Sequence, residues 1–239
     1  MIAITVDTEW APNPVLEDTL SLLDRYDVPA TLFSTADAVD SIGEHERAIH
    51  PNFFDSEDHE RVLTELLDRF PEARGLRSHG LFVYTNLRDH YTELGLEYES
   101  NYLAYRQSKL SPFWMPDGTV QVPVYWMDDQ WLRNRQHELP PIESLLDPPG
   151  LKVFDFHPPH VAYNTPSTAY YEQHKGEYYE ETADLKSVRA DRTGVRDLFV
   201  EILRTIDEED RQAETLATIV EGYRENHPFE EIGGGEIDA

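Results

Sequence analysis

Four apolar runs in this chain end in side chains that can hold a metal ion or move a proton. They are Asp7 and Glu9 after AITV, His50 and Asn52 in AIHPNFF, Arg77 and His79 in GLRSHGL, and His157 and His160 in LKVFDFHPPH. A strand buried on both faces reads as a short continuous Val/Ile/Leu/Phe run. Carboxylates and imidazoles where several such runs stop therefore point to one rim of a parallel sheet or barrel, where α/β enzymes carry their chemistry.

Asp7 and Glu9 fall on the same side if the strand geometry continues past Val6. Two carboxylates there repel unless a cation or a proton lies between them. A divalent ion resolves the conflict, with one carboxylate ligating and the other free to act as a base; alternatively, Glu9 faces solvent and Asp7 caps the next turn. His50 is fixed at its strand end by Pro51, and His79 occupies the corresponding place on the next run. Two neutral imidazoles and a carboxylate, with an open position for water, form the kind of catalytic site used by Zn²⁺. Arg77 either pairs with a carboxylate base and keeps it ionised or makes a structural ion pair. His157, oriented by Asp155 or by its rivals Asp128 and Asp129, can pass a proton to a leaving amine or alkoxide near neutral pH. His160 and Asn164 either bind substrate hydroxyls or order a loop. Trp114, Trp126, Trp131 and the tyrosines at 163 to 179 either form a sugar-stacking wall or pack in the core.

The elements that must position these residues follow a strand, polar residue, helix order. IAITV (2 to 6) reads as a buried strand, the apolar positions from Val15 to Leu23 as an amphipathic helix, and ATLFST (30 to 35) as a second strand. Further strands are expected at 47 to 49, 75 to 79, 102 to 105 and 151 to 156, with helices at 57 to 70, 86 to 94, 194 to 206 and 213 to 223. This alternation predicts a (β/α) barrel or an open doubly wound sheet in a single domain over 1 to 239. Residues 110 to 149 read as an insertion beside the rim, with Asp117-Gly118 as a hairpin turn. Residues 164 to 192 read as a long loop or flap, and 230 to 239 as a frayed tail.

Composition narrows the function classes. Of 239 residues, 39% are hydrophobic, enough for one α/β core. Acids outnumber bases 47 to 20, for a net charge of −27, and lysine occurs only at 109, 152, 175 and 186. Such a surface repels nucleic acid and anionic membranes, so neither is an expected partner. Self-repulsion on this scale is relieved when salt shortens the Debye length to about 3 Å near 1 M. We therefore expect a protein of the cytoplasm of a salt-accumulating organism. With no cysteine, any metal must be held by histidine and carboxylate. No apolar run approaches the roughly 20 residues of a membrane span.

These segments, in this order, resemble the polysaccharide deacetylase superfamily (NodB homology, carbohydrate esterase family 4), and most nearly its divergent WbmS-type branch associated with surface-polysaccharide loci. VDTE at 6 to 9 resembles the first family motif, which implies that Asp7 is the catalytic base and Glu9 a metal ligand. ATLFST is similar to the ATFF stretch of the family, and HPNF at 50 to 53 stands in the place of the second motif. That motif offers two histidines four residues apart, whereas the second position here is Phe54. His79 is the expected replacement ligand, with Asn52 as the weaker alternative. Arg77 matches the arginine supporting the base, Trp126 with Asp128 and Asp129 resembles the fourth motif, and FHPPH at 156 to 160 the fifth, which makes His157 the general acid.

The resemblance implies a distorted (β/α)7 barrel and a metal-dependent hydrolase. It would remove an acetyl group from an N-acetylated sugar or polysaccharide precursor, using Zn²⁺ or else Mn²⁺, Co²⁺ or Ni²⁺. The expected partner is a small-molecule or oligosaccharide substrate, and a cytoplasmic location favours a nucleotide-linked or lipid-linked one. The alternatives are hydrolysis of a non-sugar amide or ureide on the same scaffold, and a non-catalytic carbohydrate-binding or assembly protein.

Overall fold

The structure is a computed structural model that describes residues 1–35, 41–134, 139–178 and 184–229. Its strands are β1 (Ile2–Asp7), β2 (Ala30–Ser34), β3 (Glu46–Ile49), β4 (Gly75–Leu76), β5 (Tyr98–Glu99), β6 (Phe113–Trp114), β7 (Val120–Gln121), β8 (Trp126–Met127) and β9 (Lys152–Phe156). The helices are α1 (Asn13–Arg25), α2 (His59–Arg69), α3 (Arg88–Glu93), α4 (Asp128–Arg133), α5 (Ile142–Leu146), α6 (Pro158–Ala162), α7 (Thr168–Tyr178), α8 (Leu185–Val188), α9 (Val195–Glu208) and α10 (Leu216–Asn226).

All nine strands belong to one sheet, in the order β6-β7-β5-β4-β3-β2-β1-β9-β8, and every pairing but β6 with β7 is parallel. β7 and β8 are the two ends of one extended run. The first end pairs with β5 and the second with β9, while Val124 N–H donates to Tyr102 O (2.8 Å) and Tyr125 N–H to Val153 O (2.9 Å). The sheet thus curls back on itself, and β1, β2, β3, β4, β5, the β7–β8 run and β9 occupy the seven positions of a distorted (β/α)7 barrel.

Alternation along the strands separates two cores. Ile2, Ile4 and Val6 face outward into a cluster with Leu16, Leu23, Phe199 and Leu203 from α1 and α9. Burial of each such side chain contributes about 1.5–3 kcal/mol. Ala3 faces inward, packed with Phe33, Ala48, Tyr98, Val120 and Val153 and closed at the lower end by Leu216, Ile219 and Val220 of α10. Above this apolar plug, at the ends where the strands finish, the interior turns polar.

Several elements differ from expectation for identifiable reasons. The fourth strand ends at Leu76 rather than 79. Arg77 and His79 still donate backbone bonds to Ile49 O (3.1 Å) and Pro51 O (2.9 Å), but Pro51 has no N–H to return and the chain turns through a 3₁₀ segment at His79–Leu81. The fifth strand is Tyr98–Glu99, not 102 to 105, which keeps a single bridge, Leu103 to Val124. Tyr98 fills the barrel interior over Gly75, where an added Cβ would sit 2.0 Å from the ring. Within 110 to 149, read as an insertion, the hairpin turns at Asp117-Gly118 as expected, but β7 and β8 are part of the sheet itself. The stretch from 164 to 192, read as loop, contains α7 and α8. The tail expected to fray, 230 to 239, lies outside the described residues.

Candidate active site

β1 carries Thr5 and Asp7 inward and ends where Thr8 N–H donates to Phe33 O (2.9 Å). Extended geometry does not continue to Glu9, which sits at φ 44°. A left-handed conformation is unfavourable for such a side chain, and strain of this kind persists only where the surroundings impose it. Here Thr35, at the end of β2, donates its hydroxyl to Glu9 O and its N–H to Thr8 Oγ1 (3.3 Å). The two acids are therefore not placed by continued extended geometry, yet both line one hollow of the cleft together with His79 and His157.

Arg77, wholly buried, organises the interior. It donates to Asp7 Oδ1 (2.9 Å), Asp155 Oδ1 (2.7 Å) and Thr5 Oγ1 (2.8 Å), and to the backbone and hydroxyl oxygens of Ser100 (3.1 and 2.9 Å), with Phe33 stacked 4.2 Å away. Burial pushes Asp155 well above the ordinary aspartate range, against the opposing charge of Arg77. Arg77 thus bridges the two acids, Asp7 at the end of β1 and Asp155 on β9.

Glu9, His50 and His79 offer ligand atoms all within 4.8 Å of one another. His50 closes β3 and is 1% exposed, and neither ring nitrogen has a hydrogen-bond partner. An orphaned imidazole in the interior is costly unless something binds it. Burial lowers its pKa, outweighing Asp7 and Glu9, so it is the neutral imidazole a metal requires. His79 Nδ1 lies 3.0 Å from Glu9 Oε1, and that hydrogen bond raises the His79 pKa. Burial alone would raise Glu9, but the charge of His157, the His79 hydrogen bond and His50 lower it to about 2. Two imidazoles and an ionised carboxylate fit a divalent ion such as Zn²⁺. Asn52 does not compete, because its amide is taken up locally by Asp55 Oδ2 (2.6 Å) and Phe54 N–H (3.0 Å).

Across the cleft, His157 caps α6. Asp128, wholly buried at the start of α4, accepts from His157 Nδ1 (2.7 Å) with one oxygen and from its backbone N–H (2.8 Å) with the other. Burial opposes the charged form of His157, but Asp128 and Glu9 prevail and raise its pKa well above the ordinary value. Its Nε2 faces Glu9 Oε1 at 3.6 Å. Of the three acids that could orient His157, it is therefore Asp128; Asp155 is spent on Arg77. Asp129 binds His160 instead (3.1 Å), and the other His160 nitrogen meets Thr165 Oγ1 (3.1 Å). Asn164 orders a loop through Ala190 O, Arg192 O and Asp197.

Glu9, His79, Asp129, Arg133 and His157 line two adjoining hollows of about 390 and 350 Å³, a cleft sized for a small ligand. Trp126 and Trp131 are in the core and Trp114 packs on Tyr223 and Phe229, so none of the three faces the cleft. Tyr171, one of the tyrosines between 163 and 179, does, together with Thr168 and Glu172 of α7, two residues that sequence reasoning missed by treating that stretch as loop. The fully buried Tyr163 and Tyr178 stack on each other.

A curled parallel barrel with acids and imidazoles at the ends of its strands defines a NodB-type deacetylase fold. The chain belongs to the WbmS-like polysaccharide deacetylase family, which matches residues 4–175. It is similar to the crystal structure of WbmS from Bordetella bronchiseptica, described as a candidate polysaccharide deacetylase of O-antigen biosynthesis. That likeness has 28% identity and a TM-score of 0.77, covering 85% of this chain and 89% of that one. Two more distant structures share the fold. One is a candidate polysaccharide deacetylase from Mycobacterium smegmatis (17% identity, TM-score 0.55, 94% and 90% coverage), and the other is PuuE allantoinase (12%, 0.60, 96% and 91%). No curated protein sequence matches the chain. Among the described residues, no helix is long and apolar enough to cross a membrane.

Proposed function

We propose that this protein is a metal-dependent deacetylase that hydrolyses the acetamido group of an N-acetylated sugar in a surface-polysaccharide precursor. The observation that carries this reading is the convergence of Glu9, His50 and His79 within 4.8 Å of one another, between Asp7 and His157. A divalent ion held by Glu9, His50 and His79 would polarise the acyl oxygen and acidify a bound water. Asp7, held by Arg77, accepts the proton from the attacking water. His157, protonated and aimed by Asp128, delivers its Nε2 proton to the leaving nitrogen, so amide and water become acetate and amine. Similarity to WbmS, described as acting in O-antigen biosynthesis, supports a surface-glycan substrate.

The test is acetate release from acetylated sugars by the purified protein in molar KCl with Zn²⁺, Mn²⁺ or Co²⁺. Turnover that disappears in Asp7→Asn and His157→Ala, with fold and metal content retained, supports the reading. No acetate from any metal form overturns it and favours a non-catalytic glycan-binding role.

A further inference from the structure

His79 lies beyond the end of its strand. β4 stops at Leu76, and the ring projects from a 3₁₀ segment in which Gly80 and Leu81 sit at φ 64° and 53°. A metal ligand must be held to within about 0.5 Å, and a turn of this kind has no ladder to hold it. Successive N–H groups of an extended chain point to opposite neighbours. Arg77 and His79 donate theirs toward β3, to Ile49 O (3.1 Å) and Pro51 O (2.9 Å). Ser78, between them, points toward β5, where the Ser100 carbonyl already accepts from Arg77 Nε (3.1 Å). The Ser78 N–H donates instead to a side chain, Asn101 Oδ1, at 2.8 Å. The turn is closed by the Ser78 hydroxyl on Phe82 O (2.5 Å) and by Leu81 N–H on Ser78 O (2.9 Å).

Asn101 is itself held from behind. Its Nδ2 donates to Glu99 Oε2 (3.1 Å), and Glu99 forms an ion pair with Arg88. Gln121, with its amide turned to satisfy both neighbours, donates to Glu99 Oε1 (2.7 Å) and accepts from the Asn101 N–H (3.2 Å). Ser78, Arg88, Glu99, Asn101 and Gln121 are all buried, and none of them lines the two hollows of the cleft. We propose that Asn101 is a positioning residue for His79, one that sets the metal affinity of the site through the neighbouring backbone without touching metal or substrate. The proposal rests on Glu9, His50 and His79 as ligands and not on the reaction they serve. The residue type fits the task. An amide offers an acceptor to the Ser78 N–H and a donor to Glu99, whereas aspartate would set a second carboxylate against Glu99 and leucine would satisfy neither.

The experiment is Zn²⁺ affinity by chelator competition in molar KCl. Asn101→Leu should weaken binding by about 10–100-fold, the range for losing a partner that orients a ligand. It should also change the visible absorption of the Co²⁺ form, which reports ligand geometry. Asn101→Asp, which keeps an oxygen facing the Ser78 N–H, should restore most of the loss, and Asn101→Ala repeats the truncation with a smaller side chain. In His79→Ala, adding Asn101→Leu should weaken binding no further, because the effect passes through the missing ring. Leu216→Ala, at the closed end of the barrel, should lower the melting temperature and leave Zn²⁺ affinity unchanged, which separates positioning from stability alone. Unchanged affinity in both Asn101 truncations, or an equal further loss in the His79→Ala background, overturns the role of Asn101. Unchanged affinity in His79→Ala overturns the ligand trio and this role with it. Absence of acetate release with these affinities as expected overturns the catalytic reading and leaves the role of Asn101 standing.

Discussion

The two walls of the cleft use the same side chain in opposite ways. On the β1, β3 and β4 side, His50 has no partner on either nitrogen and its pKa is lowered by burial. On the β8 and β9 side, His157 is gripped by Asp128 through both side chain and backbone, and its pKa is raised. Both are almost fully buried, so burial is not the difference; the placement of a carboxylate within hydrogen-bond reach is. On one wall burial favours the neutral form of His50, which suits a metal, and on the other Asp128 favours the protonated form of His157, which suits proton delivery.

The largest expected effect breaks the contrast directly. Asp7→Asn and His157→Ala should each lower kcat by about 10²–10⁴-fold with metal content intact. His50→Ala should strip the metal, as measured by elemental analysis after dialysis. Metal lost from His157→Ala, or kept by His50→Ala, would mean that the walls do not differ in role.

Next in size is the pH dependence of the proton-delivering wall. In the proposed reaction the protonated form of His157 is the active one, so the rate should fall as pH rises through its elevated pKa. Asp128→Asn removes the strongest charge raising that pKa and should move this alkaline limb downward while reducing kcat. An unmoved limb would assign the titration to another group.

A smaller effect concerns stability of the metal-free protein. With its folded pKa raised, His157 contributes stability fully below about pH 6.5, which is lost as pH rises through the folded value. Glu9, lowered from 4.5 to about 2, contributes above 4.5, and that contribution is lost as pH falls toward 2. Melting temperature against pH should therefore decline on the alkaline side in wild type and less so in His157→Ala. Salt should act over the whole surface, raising the melting temperature as KCl goes from about 0.1 to about 1 M and the Debye length shrinks from about 10 to about 3 Å. The smallest effect is that of Asn52→Ala, whose metal content should match wild type, because the Asn52 amide is engaged by Asp55 and Phe54.

Much of this site was legible in the chain. Asp7, His50 and His157 each follow a buried strand run, and such runs announce themselves by continuous apolar residues. His79 was placed on a strand that stops three residues earlier, yet it reaches the site because its backbone stays tied to Pro51. The fifth strand escaped notice because Tyr98 and Glu99 are polar at their tips. Both satisfy those tips inside the fold, Tyr98 on Glu46 (2.6 Å) and Glu99 on Arg88. Helix α7 was hidden because its apolar residues do not gather on one face.

By itself the sequence determined the strand–helix alternation, its polar rim and the residue types gathered there, since strand burial and side-chain alternation are local properties of a chain, but that pattern suited a barrel and an open doubly wound sheet alike. Only the tertiary structure decided which acid serves which base. Asp128, Asp129 and Asp155 are equivalent as residue types, and distances of 2.7 to 3.1 Å to His157, His160 and Arg77 separate their roles. These three partnerships join residues 29, 31 and 78 positions apart, which no local pattern encodes.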